Sequence, residues 1–423
     1  MNKQLMLLDE DEPLRNTTTF VDNMALPVHR WFRYSAGFSA KWVESVIEQH
    51  IDSVTPLVLD PFAGSATTLL AAEDQRINCV GVESHPFISR VARAKLCRQH
   101  DPQEFVSLAS EVLKSAKRSR KGNSPYPDLI QRCFSEDHLD ELDRLRRAYQ
   151  AVANDSVESQ LVWLTLVSIL RKTSHAGTAQ WQYVLPNKTK KRVANPFDAF
   201  SQFAKLVVRD MESSQQIPSL AKFVEGDART CEGVEDRSIG LVVTSPPYPN
   251  NYDYADATRF EMMFMREIEG WADLQSSVRQ YLVRSCSQHT TKKTTDLDTL
   301  LNSEEVLPIA GPLRDVVREM AVVRETKGGK KNYHLMVAAY FYDLSRVWQS
   351  LRRVCDSPSR VCFVIGDSAP YGVYVPVVEW MGSLAIAAGF SDWKFEKMRD
   401  RNIKWKNRKH RVPLCEGHLW VEG

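Results

Sequence analysis

The sequence predicts an α/β fold: a mostly parallel sheet covered by helices, closed by a C-terminal antiparallel hairpin and interrupted by a helical insertion. Three observations predict it. Short apolar runs alternate with helix-periodic segments before residue 100 and again after residue 220, the pattern of βαβ units and a parallel sheet. Several of those runs end in an acid or a tight turn, where the strands of a doubly wound sheet gather their ligand. Between them, residues 101–217 repeat apolar positions at spacings of three and four, which is helical.

Composition bounds the remaining possibilities. The 423 residues are 43% hydrophobic and 26% charged, ample for a sizeable core, so disordered, collagen-like and disulfide-stapled classes are excluded. Lys+Arg 55 against Asp+Glu 53 leaves +2, and net charge therefore names no partner. The eight cysteines are scattered without a C-x-x-C pair or a close Cys/His cluster. Free thiols in a reducing compartment and no metal site follow. The N-terminus lacks the pattern of a signal peptide. The greasiest stretch, Leu161 to Leu170, contains Thr165 and Ser168 and is too short to span a bilayer. A soluble, cytoplasmic protein with no membrane partner is expected.

Each element has its own justification. Residues 1–34 carry no regular pattern. A helix is expected over about 39–50, capped by Ser39, with Trp42, Val43, Val46 and Ile47 on one face. Pro56–Leu59 reads as a strand running into Asp60-Pro-Phe-Ala-Gly-Ser65, and Leu69–Ala72 opens a helix. Cys79–Val82 reads as a second strand ending in Glu83, followed by a helix over Ile88–Leu96. Asp101, Pro102 and Glu104 give the next helix an N-cap, an N1 proline and an N3 acid. Phe105 to Ala116, Leu139 to Tyr149 and Leu161 to Leu170 repeat as helices, and no strand is expected before residue 217. Strands return at Phe223–Asp227 and Ile239–Val243, the second running into Thr244-Ser-Pro-Pro-Tyr248. Residues 284–331 are polar and are expected to be loops around one helix. Val337–Val354 is a long helix, Val361–Ile365 a strand before Gly366-Asp367-Ser368, and Pro376–Ala388 a helix stopped by Gly389. Trp393–Met398 and His418–Val421 complete the hairpin. The expected organisation is therefore a catalytic domain of residues 1–100, 218–283 and 332–423, a helical insertion over 101–217 and a polar, basic insertion over 284–331.

Five strands end in Asp60, Glu83, Asp227, Ser245 and Asp367. In a parallel sheet all five face one crevice. The turn after Asp60 holds a single glycine, Gly64, rather than the G-x-G-x-x-G that cradles a pyrophosphate, which points to a nucleoside without phosphates. Glu83 suits ribose hydroxyls, and Asp227 an adenine amino group. In Ser245-Pro246-Pro247-Tyr248 the two prolines fix φ and remove two N–H donors. Backbone carbonyls beside the Ser245 hydroxyl then offer acceptors to an exocyclic amino group, and Tyr248 offers a ring to stack a base removed from its helix.

Together, DPFAGS, the acid after the next strand, EGDAR and VTSPPY resemble the amino-methyltransferases of DNA, which use S-adenosylmethionine to methylate cytosine N4 or adenine N6. The resemblance covers most of 27–100, 222–270 and 333–423 and implies a Rossmann-like methyltransferase sheet. It implies that Asp60, Ala63 and Gly64, flanked by Phe62 and Ser65, hold the methionine part of the cofactor. Phe38 and Ser39 close over that end, Glu83 takes the ribose, and Asp227 with Ala228 takes the adenine. One position departs from the family, which usually has glycine where this chain has Ala66. A serine before the two prolines leans toward cytosine N4 and an acid or amide there toward adenine N6. No Pro-Cys dipeptide occurs, so methylation at cytosine C5 through a cysteine nucleophile is excluded. Direct attack by the amino nitrogen needs no covalent intermediate and no metal.

DNA contact has to come from local charge. From Lys397 to Val412 eight Lys/Arg, among them Arg399, Arg401, Lys404, Lys406, Arg408, Lys409 and Arg411, face Asp400 alone, which suits phosphate contacts. The implied partner is double-stranded DNA with the target base flipped out, with a companion restriction endonuclease or defence complex beside it. The competing functions are an RNA guanine-N2 methyltransferase, which usually begins the Pro-Pro-Tyr motif with Asp, and a non-catalytic DNA-binding relative.

Overall fold

A computed structural model describes residues 20–34, 37–51, 57–122, 125–179, 183–250, 252–290, 296–327, 331–401 and 412–423. Among them run helices α1 (Ala40–His50), α2 (Thr67–Asp74), α3 (Pro86–Leu96), α4 (Pro102–Arg118), α5 (Asp128–Gln131), α6 (Glu136–Gln150) and α7 (Val157–Thr173). Then come α8 (Pro196–Ser214), α9 (Tyr254–Met265), α10 (Leu274–Ser277), α11 (Leu297–Leu301), α12 (Ala310–Thr326), α13 (Tyr333–Val354) and α14 (Val377–Ala387). The strands are β1 (Leu57–Asp60), β2 (Asn78–Glu83), β3 (Ala176–Thr178), β4 (Val184–Thr189), β5 (Ala221–Glu225), β6 (Ile239–Thr244), β7 (Cys355–Gly366), β8 (Asp392–Arg401) and β9 (Leu414–Glu422).

Seven strands form one sheet in the order β5-β2-β1-β6-β7-β9-β8. The first five are parallel, and β9 pairs antiparallel with both β7 and β8. The expected mostly parallel sheet with an antiparallel C-terminal hairpin is therefore what the chain builds. Strand residues alternate between two cores, as a pleated strand requires. Val58, Cys79, Leu241 and Val243 pack with α1, α2 and α3. Leu59, Val80, Val242 and Phe363 pack with α12, α13 and α14. The apolar residues of α4, α6, α7 and α8 join the first of these cores.

Local chemistry starts the helices where expected. The Ser39 hydroxyl accepts from the Trp42 amide at 3.4 Å, and the Asp101 carboxylate from the Gln103 amide at 2.8 Å. Two expectations are corrected. Residues 101–217 are not all helix: β3 and β4 pair as an antiparallel hairpin. With three residues on one side and a proline and exposed polar residues on the other, it shows no period-two signal. Residues 284–331 hold a short helix, α11, besides the long α12. Residues 29–31 are pinned from two sides. Asp210 of α8 accepts from Trp31 Nε1 at 2.9 Å and pairs with Arg30, and the buried Lys95 ammonium donates to the His29 carbonyl at 3.0 Å. No helix of the described residues is long and apolar enough to cross a membrane.

Candidate active site

The parallel run of the sheet brings the carboxyl ends of β5, β2, β1, β6 and β7 to one edge, and a cavity opens there. Phe38, Phe62, Ala63, Gly64, Ser65, Glu83, Ser245 and Pro247 line it, all of them legible in the sequence. Gly64 has φ +52, and a Cβ added there would come within 3.2 Å of the Tyr34 ring. The turn after β1 thus needs both the conformational freedom and the small size of glycine.

Glu83 is the cavity's carboxylate. It accepts from the Gly64 amide at 2.9 Å and the His85 amide at 2.7 Å, so it orders the turn after β1 as well as its own. Burial pushes its carboxyl up to about 7, against the pull of those amides. Asp60 has a different task. It is buried, accepts from the Thr244 and Thr68 hydroxyls at 2.6 Å each and from the Phe62 amide at 3.0 Å, and does not line the cavity. It fastens the end of β1 to the end of β6, directly before Ser245. Burial holds its carboxyl up at about 6.

Ser245 and Tyr248 converge on one atom. The Ser245 hydroxyl donates to the Val364 carbonyl of β7 at 3.3 Å, and the Tyr248 hydroxyl donates to it at 3.2 Å. The serine proton is thereby engaged, and the oxygen's lone pairs are left to accept. Pro246 is buried beneath while Pro247 faces the cavity. The Arg401 guanidinium lies 5.0 Å from the centre of the Tyr248 ring and donates to the Asp367 carbonyl at 3.0 Å.

Other expected residues lie elsewhere. Ser39 caps α1 and does not reach the cavity lining, and neither do Asp227 and Ala228. Asp227 is bound by the amide and the guanidinium of its neighbour Arg229, with Nη2 at 2.6 Å. Arg229 also donates to the Tyr281 carbonyl, next to Leu282 in the cavity wall. The Ala228 carbonyl accepts from Ser350 of α13. Arg399 and Arg401 both pair with Glu416 of the adjoining strand. Lys404, Lys406, Arg408, Lys409 and Arg411 lie outside the described residues.

Several lining residues escaped the sequence analysis: Tyr34, Thr67, His85, Tyr254, Leu282 and Val283. His85 carried a signal, standing two residues past the strand-end acid and directly before the helix-starting Pro86. Its Nε2 meets the Thr258 hydroxyl at 3.0 Å, and burial lowers it to about 4, keeping the ring neutral. Asp253, just past the Ser-Pro-Pro-Tyr turn, caps α9 and pairs with Arg279 at 2.7 Å. Its carboxylate lies near Cys286 and His289, a buried trio with metal-ligand chemistry. The guanidinium already balances that carboxylate, which disfavours a second cation there.

A DNA methylase family model of the N6/N4 type matches residues 12–94. The Type II methyltransferase M.BsoBI of Geobacillus stearothermophilus is 23% identical over 449 residues, spanning 94% of this chain and 86% of the relative. The Type II methyltransferase M.AvaI of Nostoc sp. is 24% identical over 409 residues, spanning 89% and 82%. The Type II methyltransferase M.MjaII of Methanocaldococcus jannaschii is 31% identical over 94 residues, 22% of this chain and 17% of that one. No solved structure matches the chain significantly. The order of motifs, the sheet and the likeness to whole Type II methyltransferases support a DNA amino-methyltransferase of the N4/N6 type.

Proposed function

We propose that the chain transfers the methyl group of S-adenosylmethionine to the exocyclic amino group of a base flipped out of duplex DNA, with cytosine N4 the favoured acceptor and adenine N6 the alternative. The observation that carries this is Ser245, whose hydroxyl proton is engaged by the Val364 carbonyl and which lines the same cavity as Glu83 and Gly64. An exocyclic amine is a poor nucleophile because its lone pair is delocalised into the ring. Ser245 Oγ and the Pro246 carbonyl, accepting both amino protons, favour a pyramidal nitrogen and stabilise the positive charge that develops on it. Tyr248 stacks the base on the face away from Arg401. The serine, rather than an acid, before the two prolines supports cytosine.

The cavity suits the proposed cofactor. Its walls are largely apolar, from Phe38, Phe62, Leu282, Val283 and Tyr254, and one turn is built so that backbone reaches the ligand without a side chain between. Glu83 supplies the acceptor for ribose hydroxyls, while Asp227, assigned to the adenine amino group by the resemblance, lies outside this lining with its carboxylate held by Arg229. The bound cofactor contributes an electrophilic sulfonium methyl. The protein's part is to align the amino nitrogen with it, which removes much of the entropic barrier.

The test is transfer of a tritiated methyl group to duplex DNA and to RNA, followed by digestion to nucleosides. The expected product is N4-methylcytosine from DNA. N6-methyladenine would leave the chemistry standing and reverse the base. Label in RNA guanine, or cofactor binding without transfer, would replace this reading with one of its rivals. A companion restriction endonuclease belongs to the same proposal, and DNA modified by this chain is expected to resist it.

A further inference from the structure

The β3–β4 hairpin has no part in the cofactor cavity, yet it touches the segment that follows Ser-Pro-Pro-Tyr. The Asp253 amide donates to the Tyr183 hydroxyl at 2.9 Å, and the Tyr183 and Tyr252 rings lie 5.7 Å apart. The next residue, Tyr254, lines the cavity. From Arg171 to Arg192 the chain carries six Lys/Arg and neither Asp nor Glu. Three of the six are used inward. Arg171 pairs with the buried Glu261, Lys190 donates to the Arg171 carbonyl at 2.7 Å, and Lys172 lies over the Phe203 ring. Lys188, Lys191 and Arg192 are exposed and, among the described residues, have no carboxylate partner. Both strands are held near the open end of the hairpin: Ala176 of β3 is buried in the helical core, and Arg132 binds Asn187 of β4.

We infer that the β3–β4 hairpin is the DNA-reading ribbon of this protein, gripping phosphates through Lys188, Lys191 and Arg192 and linked to the methyl-transfer turn through Tyr183. The inference rests on the DNA methyltransferase reading and extends it to the element that selects the site. A two-stranded ribbon is one of the two shapes that the major groove admits. The exposed charge on β4 and just past its end, Lys188, Lys191 and Arg192, is of one sign and faces water, as a backbone-positioning surface needs. The Tyr183 contact gives the groove reader a physical link to the catalytic turn. Seating the ribbon fixes Tyr183, Tyr183 fixes the amide of Asp253, and Asp253 starts the helix whose first residue lines the cavity.

The experiment uses the full chain with its own site in a duplex. In the Lys188→Ala, Lys191→Ala, Arg192→Ala triple variant, three lost phosphate contacts are expected to weaken DNA binding about tenfold or more. The slope of log affinity against log salt should also flatten by roughly 2.5–3. Cofactor affinity and thermal midpoint should stay at wild-type values. Tyr183→Phe keeps the ring but leaves the Asp253 amide without its acceptor. It is expected to slow single-turnover methylation about 10–100-fold at saturating DNA, with both affinities kept. Wild-type DNA affinity and salt slope in the triple variant would overturn the inference, as would loss confined to RNA binding. Wild-type turnover in Tyr183→Phe would remove the link to catalysis. If the unmodified protein methylates no DNA at all, the parent reading fails instead, and the two failures are distinct.

Discussion

Glu83 and Asp60 stand at the ends of neighbouring strands, and burial lifts both carboxyls into the range of ordinary buffers, to about 7 and about 6. Because each is raised above its unfolded value, each contributes stability at low pH that is lost as pH rises through its folded value. Ligand binding runs the other way. Accepting ribose hydroxyls calls for the Glu83 carboxylate, so cofactor affinity is expected to rise as pH is raised through about 7. Calorimetry between pH 5.5 and 8.5 should show this step in the wild type and not in Glu83→Gln, where only a weaker step near 6 remains. A flat wild-type profile would rule out ionised Glu83 as the ribose acceptor. In the proposed reaction the chemical step falls to Ser245 and Tyr248. Ser245→Ala removes an acceptor aimed at the amino group and is expected to cost on the order of 10²–10³ in single-turnover rate. Cofactor binding should change little, since Glu83 and the glycine turn remain. Tyr248→Ala loses a stacking face worth roughly 1–3 kcal/mol. Tyr248→Phe keeps it, and Ser245 still serves the Val364 carbonyl, so Phe is expected to be tolerated far better. Equal losses for Phe and Ala would assign the role to the hydroxyl instead of the ring.

The turn between β1 and α2 shows at the scale of one element what a sequence discloses. The departure from glycine at Ala66 stood out in the sequence, and the structure supplies its physical content: Ala66 sits at φ 69, ψ 29, left-handed, as the cap of α2, and is fully buried. A left-handed alanine costs about 1–2 kcal/mol, while a buried methyl contributes about 0.8 kcal/mol. Ala66→Gly is therefore expected to be neutral or to stabilise by up to about 1 kcal/mol, read as the denaturant midpoint, with cofactor affinity kept or slightly improved. Destabilisation would mean that the methyl group's packing outweighs the strain. Much of the site was legible for the same reason as this turn. Strand-end acids, a glycine turn and a proline pair are local signals, each set by the backbone of a few consecutive residues. What escaped was set by distant contacts. Tyr34 matters because it packs on Gly64, thirty positions away, and Leu282 and Val283 because their segment folds over the sheet edge. Asp60 stands at the strand end that the sequence marked but is used as a fastener: its hydroxyl partners, Thr68 and Thr244, come from two other elements, and no spacing announces them.

At the scale of the whole molecule, the helical segment 101–217 lies between cofactor motifs in sequence but shares a core with them in space. Trp163 of α7 packs edge-on against Phe87 of α3 at 5.1 Å, with the Arg90 guanidinium over its ring. Asp210 of α8 holds Trp31, Arg30 and the Val28 amide of the segment leading to Tyr34 and Phe38. Phe105, Leu142, Leu161 and Phe200, all buried, belong to the same cluster as Val58 and Leu69. Removing residues 101–217 would uncover α3 and release the N-terminal segment at once, and each fully buried large apolar side chain accounts for about 1.5–3 kcal/mol. Several such losses exceed the 5–15 kcal/mol by which an ordinary domain is stable. A chain in which a short glycine-serine linker replaces 101–217 is therefore expected to show no cooperative thermal transition and no cofactor binding. Replacing only residues 177–179 and 184–189 by the matching stretches of a relative, with Ala176 and Tyr183 kept, leaves those buried contacts in place. That exchange is expected to preserve cofactor binding and methyl transfer while changing the DNA site, as read by sequencing the modified genomic DNA. A linker variant that folds and binds the cofactor would show the helical segment to be an appendage, and an unchanged site after the exchange would move sequence recognition away from the hairpin.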